Sequence, residues 1–309
     1  MVGIRVVADS GESLGVLSDG ALDLVGGFMG NVQVITDSAC DLALPMAEEH
    51  GIKVVPLNIR FGEEEFVDRE QLLAKEFWDR LVANKALPET SAPSPGSFQR
   101  AFVAAGQAGA SGVLCITLSS EMSGTYQAAC TAAEGIAGEI PVTVIDSRSV
   151  TVGQGLLAIS AADHASKGAS LEEIVSLVDV LKGRTRVYGV VDTLDYLKRG
   201  GRIGGAAALL GSLLSIKPIL QVRDGVVEPE SKQRTRARSL QYLANKVIGA
   251  GPLERLAVAN STADDIQELL NLLADANVAH DLIITELGPV VGTHTGPGSI
   301  AVGFQLAGE

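Results

Sequence analysis

The chain has 309 residues, of which 46% are hydrophobic and 20% charged, a composition typical of a soluble globular protein rather than a disordered one. Its formal net charge of −13 argues against a general nucleic-acid-binding protein, because neutralising phosphates requires a cationic surface. The length predicts two domains, each able to bury a core of its own.

The N-terminal segment is not predicted to be a targeting signal. It lacks a basic region followed by a long apolar run, and no stretch of about 18 apolar residues occurs in the sequence. Three widely separated cysteines suit neither a disulfide framework nor a CxxC site, so a cytoplasmic location is expected. Residues 1–30 directly precede the first strong strand and are expected to form an extension outside the fold.

The first half of the chain alternates between apolar strands and helices. Short apolar runs predict strands at residues 32–36, 52–59, 113–118 and 142–145, the second of them interrupted at Pro56. Helices are predicted to end near residues 50, 84, 108 and 134, and residues 61–68 are expected to form a polar turn. Continuously apolar strands separated by helices indicate a parallel sheet covered on both faces. The predicted fold class is α/β, with an N-terminal domain at residues 31–160.

The second half has a different pattern. Helices at about 156–167 and 170–182 are followed by predicted strands at 187–191, 216–222 and 226–229. The last two are joined by Arg-Asp-Gly at 223–225, which is a hairpin signal. Helices from about 235 and at 263–276 then alternate with strands at 256–259 and 281–285. Because hairpins pair in antiparallel fashion, we predict an α+β second domain, residues 161–309, with a largely antiparallel sheet.

Positive charge is concentrated in residues 182–238. This window holds 12 of the 24 Lys and Arg residues against 5 acidic residues, which gives it a net charge of +7. The densest part of this window is the run at 232–238. An alternative interpretation of this run is the solvent-exposed start of a helix. Such a basic face suits an acidic partner or transient contact with an anionic membrane surface.

The common enzyme motifs are missing from the sequence. It has no GxxxxGK[ST], HExxH or GxSxG, and the glycines at 200–205 lack the GxGxxG spacing, so no nucleotide or cofactor site is predicted. No metal site is predicted either, because the histidines are isolated from one another and from the cysteines. A hydrolase remains an alternative, with Ser119, Ser120 or Ser123 as its nucleophile.

Short hydroxyl-rich loops follow several predicted strands. They lie at 37–38, 119–125 and 146–147, and a Thr-Ser-Ala-Pro-Ser sequence at 90–94 precedes a predicted helix. Ligands of open α/β sheets collect at the carboxyl ends of strands, where helix N-termini offer free N–H groups to anions. These loops therefore suit an anionic head group, although helix capping alone would also explain their hydroxyls. The glycine-rich loop at 287–299 contains His294, which is a further candidate donor to the anion. The alternative is that His294 is an ordinary loop residue.

Several of these motifs occur together in the order and approximate spacing of one known family. They comprise VITDSACDL at 34–42, TSAPS at 90–94, Lys-Pro at 217–218, and the segments 118–126, 145–147, 197–205 and 288–298. On these motifs, from residue 32 to residue 304, the chain resembles the DegV family, which includes the fatty-acid-binding subunits of bacterial fatty acid kinase.

The resemblance implies a protein that holds one long-chain fatty acid, with its acyl tail in a tunnel and its carboxylate near the interface of two domains. The matching positions imply a set of ligand-binding residues: Thr90, Ser91, Ser119, Ser120, Arg202 and His294. Arg234 matches the position associated with engaging the kinase partner.

The expected function is that of a binding subunit without catalytic residues or a cofactor of its own. It would present the fatty acid carboxylate to a separate fatty acid kinase catalytic subunit, which forms the acyl phosphate. The alternative is an acyl hydrolase that uses a serine of the 119–123 loop with His294. A regulatory module that responds to its ligand state is also compatible with the sequence.

Overall fold

The structure is a computed structural model that describes residues 31–83, 87–212 and 216–308. The predicted N-terminal extension at 1–30 lies outside the described residues. The strands, numbered in chain order, are β1 (Val32–Asp37), β2 (Lys53–Val55), β3 (Asn58–Phe61), β4 (Glu64–Val67), β5 (Glu89–Ser91), β6 (Gly112–Thr117), β7 (Val142–Asp146), β8 (Thr185–Val190), β9 (Lys217–Arg223), β10 (Val226–Gln233), β11 (Leu253–Asn260), β12 (Ile283–Glu286) and β13 (Ile300–Leu306). The helices are α1 (Leu44–Glu49), α2 (Ala74–Ala83), α3 (Pro95–Gln107), α4 (Thr125–Gly135), α5 (Val152–Ala165), α6 (Leu171–Arg184), α7 (Asp195–Arg199), α8 (Arg236–Ile248), α9 (Ile266–Leu272) and α10 (Pro289–Thr295).

The first sheet is parallel, as the apolar strands predict. Its strand order is β2-β1-β6-β7, and every residue of β6 is buried. One face packs against α3 and α4 through a cluster that includes Phe98, Phe102 and Ala129. The other face packs against α5 and α6, with Leu157 and Ile174 among the contacts. Helices on both faces explain why these strands contain so few polar residues.

A small antiparallel sheet, ordered β4-β3-β5, adjoins the parallel sheet and corrects one prediction. The strand at 52–59 is divided at Pro56, where the interruption is predicted, and β2 joins the parallel sheet whereas β3 joins the small one. Proline lacks the N–H that a continuous strand would donate, which explains the break. The predicted polar turn at 61–68 instead contains β4, which pairs with β3 around a turn at Gly62, where φ is +60°.

The third sheet is mixed and largely antiparallel, as the hairpin signal predicts. Its order is β10-β9-β8-β13-β11-β12, and within it only β11 and β12 pair in parallel. Helices α8 and α9 cover one face through a core that includes Leu240, Leu269 and Phe304. The central strand β13 and the preceding helix α10 lie beyond the last element predicted from sequence.

Helix α5 lies between the parallel sheet and the mixed sheet. All of its residues from Val152 to Ala162 are buried. Leu157 packs in the core of the parallel sheet, whereas the adjacent Leu156 packs with Ala257 and Ala301 of the mixed sheet. The predicted division into residues 31–160 and 161–309 therefore falls inside a helix that both sheets share.

Among the described helices, none combines the length and the apolar character needed to cross a bilayer.

Candidate functional site

The first feature of the site is a contact between β5 and α10. The Oγ1 atom of Thr90 lies 2.9 Å from Nε2 of His294, which is 204 residues further along the chain. Thr90 is held in place because β5 pairs with β3, with Thr90 opposite Ile59. The sequence pattern predicts a loop around His294, but residues Pro289–Thr295 form a helix that begins with proline and ends before Gly296, whose φ is +74°.

Arg202 provides the positive charge of the site. It follows α7, and its Nη1 donates to the carbonyl of Gly200 at 2.7 Å. Its Nε donates to the carbonyl of Met122 at 3.0 Å, so the guanidinium joins the second half of the chain to the first. Both bonds fix the position of the group and, among the described residues, leave other N–H donors of the guanidinium for a ligand.

Thr90, His294 and Arg202 line one cavity of about 140 Å³. The remaining wall is largely apolar and draws on both halves of the chain, with Met122, Val150, Leu197, Val227, Val290 and Val291 among its residues. A cavity with apolar walls and a few convergent polar groups is typical of a small-molecule site.

Burial and the positive charge of Arg202 lower the pKa of His294 to about 4. The imidazole is therefore neutral at neutral pH and acts in this cavity as a hydrogen-bonding group rather than a cation. Among the described residues that line the cavity, Arg202 is the only one with a charged side chain. One arginine beside neutral donors matches a ligand with a single negative charge.

The structure brings together three of the six residues that the resemblance implies as ligands. Ser119 is fully buried, and its hydroxyl donates to the carbonyl of Gly225 at 2.7 Å. The Ser120 hydroxyl donates to Asp146 at 2.6 Å, and Ser91 is exposed on β5. None of these three serines lines the cavity.

The same geometry bears on the hydrolase alternative. The hydroxyl within hydrogen-bond distance of His294 belongs to Thr90. Ser123 of the 119–123 loop also lines the cavity, but its hydroxyl lies 2.8 Å from Oγ1 of Thr125. Nδ1 of His294 is buried and has no hydrogen-bond partner among the described residues, so no carboxylate orients the imidazole as in a catalytic triad. A pKa of about 4 also makes the imidazole a weak base.

Arg234, the implied contact for the kinase partner, is exposed in the bend between β10 and α8. Within the described part of the chain it forms no ion pair. The neighbouring Arg236 differs, because it is held by Asp265 through two hydrogen bonds of 2.7 and 3.0 Å. The basic run is therefore only partly available to another molecule.

Three buried acidic residues lie near the end of β1 and the start of α10. Oδ1 of Asp41 accepts a hydrogen bond of 2.9 Å from the backbone N–H of Gly288, which immediately precedes α10. Burial raises the pKa of Asp41 to about 7 and the pKa values of Asp37 and Asp68 to about 6. In the described ranges, no group of three or more His, Cys, Asp or Glu residues is arranged to hold a metal ion.

The apolar wall of the cavity is the part of the site that sequence reasoning missed. Val150, Val227 and Val290 come from three separate segments. Val150 and Val227 lie outside the recognised motifs, and Val290 lies within the 288–298 motif but was not identified as a candidate site residue. Their shared signal is only that each is a valine beside a loop or turn, which many core residues also show.

Comparisons with known proteins agree with this architecture. A family model described as "Uncharacterised protein, DegV family" matches residues 31–306. A DegV domain-containing protein of Streptomyces coelicolor is 35% identical over 282 residues, which cover 88% of this chain and 97% of the relative.

Solved structures give the same result. A structure described as fatty acid binding of a DegV family protein from Thermus thermophilus has 32% identity and a TM-score of 0.82, covering 89% of this chain and all of that one. DegV, a fatty acid binding protein from Bacillus subtilis, has 32% identity and a TM-score of 0.79, covering 90% and 100%. A stearic-acid-binding protein from Eubacterium ventriosum has 29% identity and a TM-score of 0.80, covering 89% and 98%. The chain therefore belongs, over residues 31–306, to the DegV family.

Proposed function

We propose that this protein binds one long-chain fatty acid, with the carboxylate at Thr90, Arg202 and His294 and the acyl chain along the apolar wall. The observation that carries the proposal is the convergence of these three side chains on one largely apolar cavity. Arg202 neutralises the carboxylate, and the Thr90–His294 pair supplies hydrogen bonds. The fatty acid binding named for the Thermus thermophilus and Bacillus subtilis relatives supports this choice of ligand.

The acyl chain would supply most of the affinity. At about 0.8 kcal/mol per buried methylene, a sixteen-carbon tail contributes roughly 11–12 kcal/mol before the costs of association. Each hydrogen bond to the carboxylate adds about 1.5–3 kcal/mol. The apolar wall thus determines how tightly the lipid binds, and the polar residues determine which end of it faces Arg202.

Binding of a long chain also requires the cavity to widen. Its volume of about 140 Å³ is below the roughly 300–1,000 Å³ of pockets for ligands of comparable size. The wall combines residues from both halves of the chain, so we expect these parts to move apart when the lipid enters. Val227, on the β9–β10 hairpin, is one of the wall residues contributed by the second half.

Lipid extraction tests the proposal directly. Protein purified from cells is denatured, and the released lipid is identified by mass spectrometry and compared with the amount of protein. We expect close to one fatty acid per chain, and we expect the delipidated protein to bind palmitate or stearate. Absence of lipid together with absence of binding would refute the proposal. Turnover of acyl esters that is lost on replacing Ser119, Ser120 or Ser123 would favour the hydrolase instead.

The protein would act in the cytoplasm by presenting the bound carboxylate to a separate kinase. Its sequence offers no nucleotide-binding motif, so the phosphoryl donor must be bound by the partner. The net charge of +7 on residues 182–238 supports docking of an acidic surface, and it also suits lipid exchange at an anionic membrane. Arg234 is the residue proposed for kinase docking because it is exposed and is not held in an ion pair by any of the described residues.

Replacing Arg234 separates lipid binding from presentation. Arg234→Glu should leave fatty acid bound but slow acyl-phosphate formation with a fatty acid kinase catalytic subunit, and the wild-type reaction should slow as salt rises. Lys167→Glu, an equal charge change at an exposed position outside residues 182–238, is the matched control. If Arg234→Glu loses its lipid but still supports the kinase when resupplied with it, Arg234 belongs to the ligand site.

A further inference from the structure

Gly200, at the end of α7, lies directly against the ring of His294. A Cβ atom added to Gly200 would be 2.2 Å from Nδ1 and 2.8 Å from Cε1 of His294. The backbone does not require glycine here, because φ is −74° and ψ is −4°, values that any residue adopts. The contact with the imidazole is therefore what excludes a side chain.

The same glycine also contacts Arg202. Its carbonyl accepts a hydrogen bond of 2.7 Å from Nη1 of Arg202. One backbone residue thus contacts two of the three groups that converge on the cavity, and it does so without a side chain of its own.

Nδ1 of His294, the ring atom that faces Gly200, is buried and has no hydrogen-bond partner among the described residues. A neutral imidazole carries one proton, on Nδ1 or on Nε2. A proton on Nδ1 would be a buried donor without an acceptor, an arrangement that proteins rarely tolerate. A proton on Nε2 has an acceptor, because Oγ1 of Thr90 lies 2.9 Å away.

The position of this proton determines what Thr90 can offer to a ligand. When Nε2–H donates to Oγ1, the hydroxyl hydrogen of Thr90 remains free and can be donated into the cavity. With the proton on Nδ1, Thr90 would donate its hydrogen to Nε2 and would present only lone pairs to the cavity. Lone pairs repel a carboxylate, so the two tautomers give the site opposite preferences.

We infer that Gly200 is a positioning residue that holds His294 as the Nε2–H tautomer and thereby directs the Thr90 hydroxyl hydrogen toward the ligand. The identity of the ligand as a carboxylate rests on the proposed function. The tautomer itself does not, since it follows from the contacts of the protein alone.

The tautomer is measured on ligand-free wild-type protein by long-range ¹H–¹⁵N correlation NMR of ¹⁵N-labelled histidine. We expect the Nε2–H pattern for His294, unchanged from pH 8 to pH 5.5. An Nδ1–H pattern, or protonation near the ordinary histidine pKa of about 6.5, would overturn the inference. Failure of the protein to bind palmitate would refute the proposed function while leaving this measurement intact.

Variants test whether Gly200 acts through His294. Gly200→Ala should displace the imidazole, abolish the single-tautomer pattern and lower palmitate affinity about tenfold or more. The control is Gly135→Ala, at the end of α4, where an added Cβ meets no atom within 4 Å. Circular dichroism verifies that both variants are folded.

A double variant isolates the contact with the ring. In the His294→Ala background, where no imidazole remains, adding Gly200→Ala should change palmitate affinity by less than about twofold. If Gly200→Ala lowers the affinity by the same factor with and without His294, the glycine acts through Arg202 or the fold, and the inference is wrong.

Discussion

The hydroxyl of Ser119 donates a hydrogen bond of 2.7 Å to the carbonyl oxygen of Gly225, which lies 106 residues further along the chain. Arg148 donates to the carbonyl of the neighbouring Asp224. Asp224 and Gly225 form the turn between β9 and β10, and Val227, two residues later, lines the cavity. Two side chains of the first half of the chain therefore hold the hairpin that forms part of the cavity wall.

Ser119→Ala should loosen this hairpin. Loss of the hydrogen bond costs about 1–3 kcal/mol of stability at a buried position, and we expect faster exchange of bound fatty acid. Stopped-flow measurement of fatty acid release checks the rate, with the exposed Ser120→Ala as control. A loss of equilibrium affinity by the same factor as the gain in release rate, with association unchanged, would instead favour direct binding of the carboxylate by Ser119, as the resemblance implies.

Thr90→Val keeps the size of the side chain and removes its hydroxyl. Because the proposed carboxylate contact is a charged hydrogen bond, we expect fatty acid affinity to fall about tenfold or more. Isothermal titration with palmitate measures the change. Ser91→Ala is the matched control, since Ser91 is the exposed next residue of β5. Equal affinities for Thr90→Val and wild type would remove Thr90 from the site.

Arg202→Gln should reduce the preference for an acid over an alcohol. The guanidinium also holds the carbonyls of Met122 and Gly200, so its removal weakens the cavity for any ligand. The ratio of affinities for palmitate and hexadecanol separates the charge from this structural effect, and we expect the ratio to fall about tenfold. Arg199→Gln, at an exposed position of α7, should leave the ratio unchanged. An unaltered ratio in Arg202→Gln would show that another group neutralises the carboxylate.

Asp41 makes the stability of the fold depend on pH. Burial raises its pKa to about 7 from an unfolded value near 3.8, so the folded protein binds more protons between about pH 4 and pH 7. The contribution of this carboxyl to stability therefore declines as pH rises through that window. Asp41→Asn removes the ionisation but retains an oxygen that can accept from the N–H of Gly288.

Urea unfolding of wild type and Asp41→Asn at pH 5 and pH 8 tests this expectation. The stability of the variant relative to wild type should increase by about 1 kcal/mol or more at the higher pH. The exposed Asp264→Asn provides the control, with no such change. A difference between Asp41→Asn and wild type that is independent of pH would contradict the raised pKa.

The elements that the sequence predicts well are those whose local pattern agrees with their packing. The continuously apolar β6 is buried on both faces by helices, and the Asp-Gly turn at 224–225 does join two antiparallel strands. In α10 the local sequence pattern and the packing conflict. Its glycine and two threonines disfavour a helix, but Gly292 allows the helix to pack against Phe77 and Trp78, where a Cβ would be 2.6 Å from the Trp78 ring.

The local sequence also predicts only part of the candidate site. A hydroxyl-rich loop was expected to bind an anion, and Thr90 does face the cavity, but Ser94 instead caps α3 by accepting from the N–H of Ser97. Ser119 and Thr90 have similar chemistry, and only the distant Gly225 and His294 determine what each hydroxyl contacts. Contacts between residues that lie 100 or more positions apart leave no local sequence pattern from which they could be predicted.

Burial of α5 on both sides has a consequence for how the molecule unfolds. The parallel sheet contacts Leu157 and the mixed sheet contacts Leu156, so loss of either sheet exposes apolar surface on the helix that remains. That exposure raises the free energy of any intermediate in which one half is folded and the other is not. The two halves, despite their different topologies, should therefore melt in a single calorimetric transition, and a fragment ending at residue 160 should not hold its structure alone.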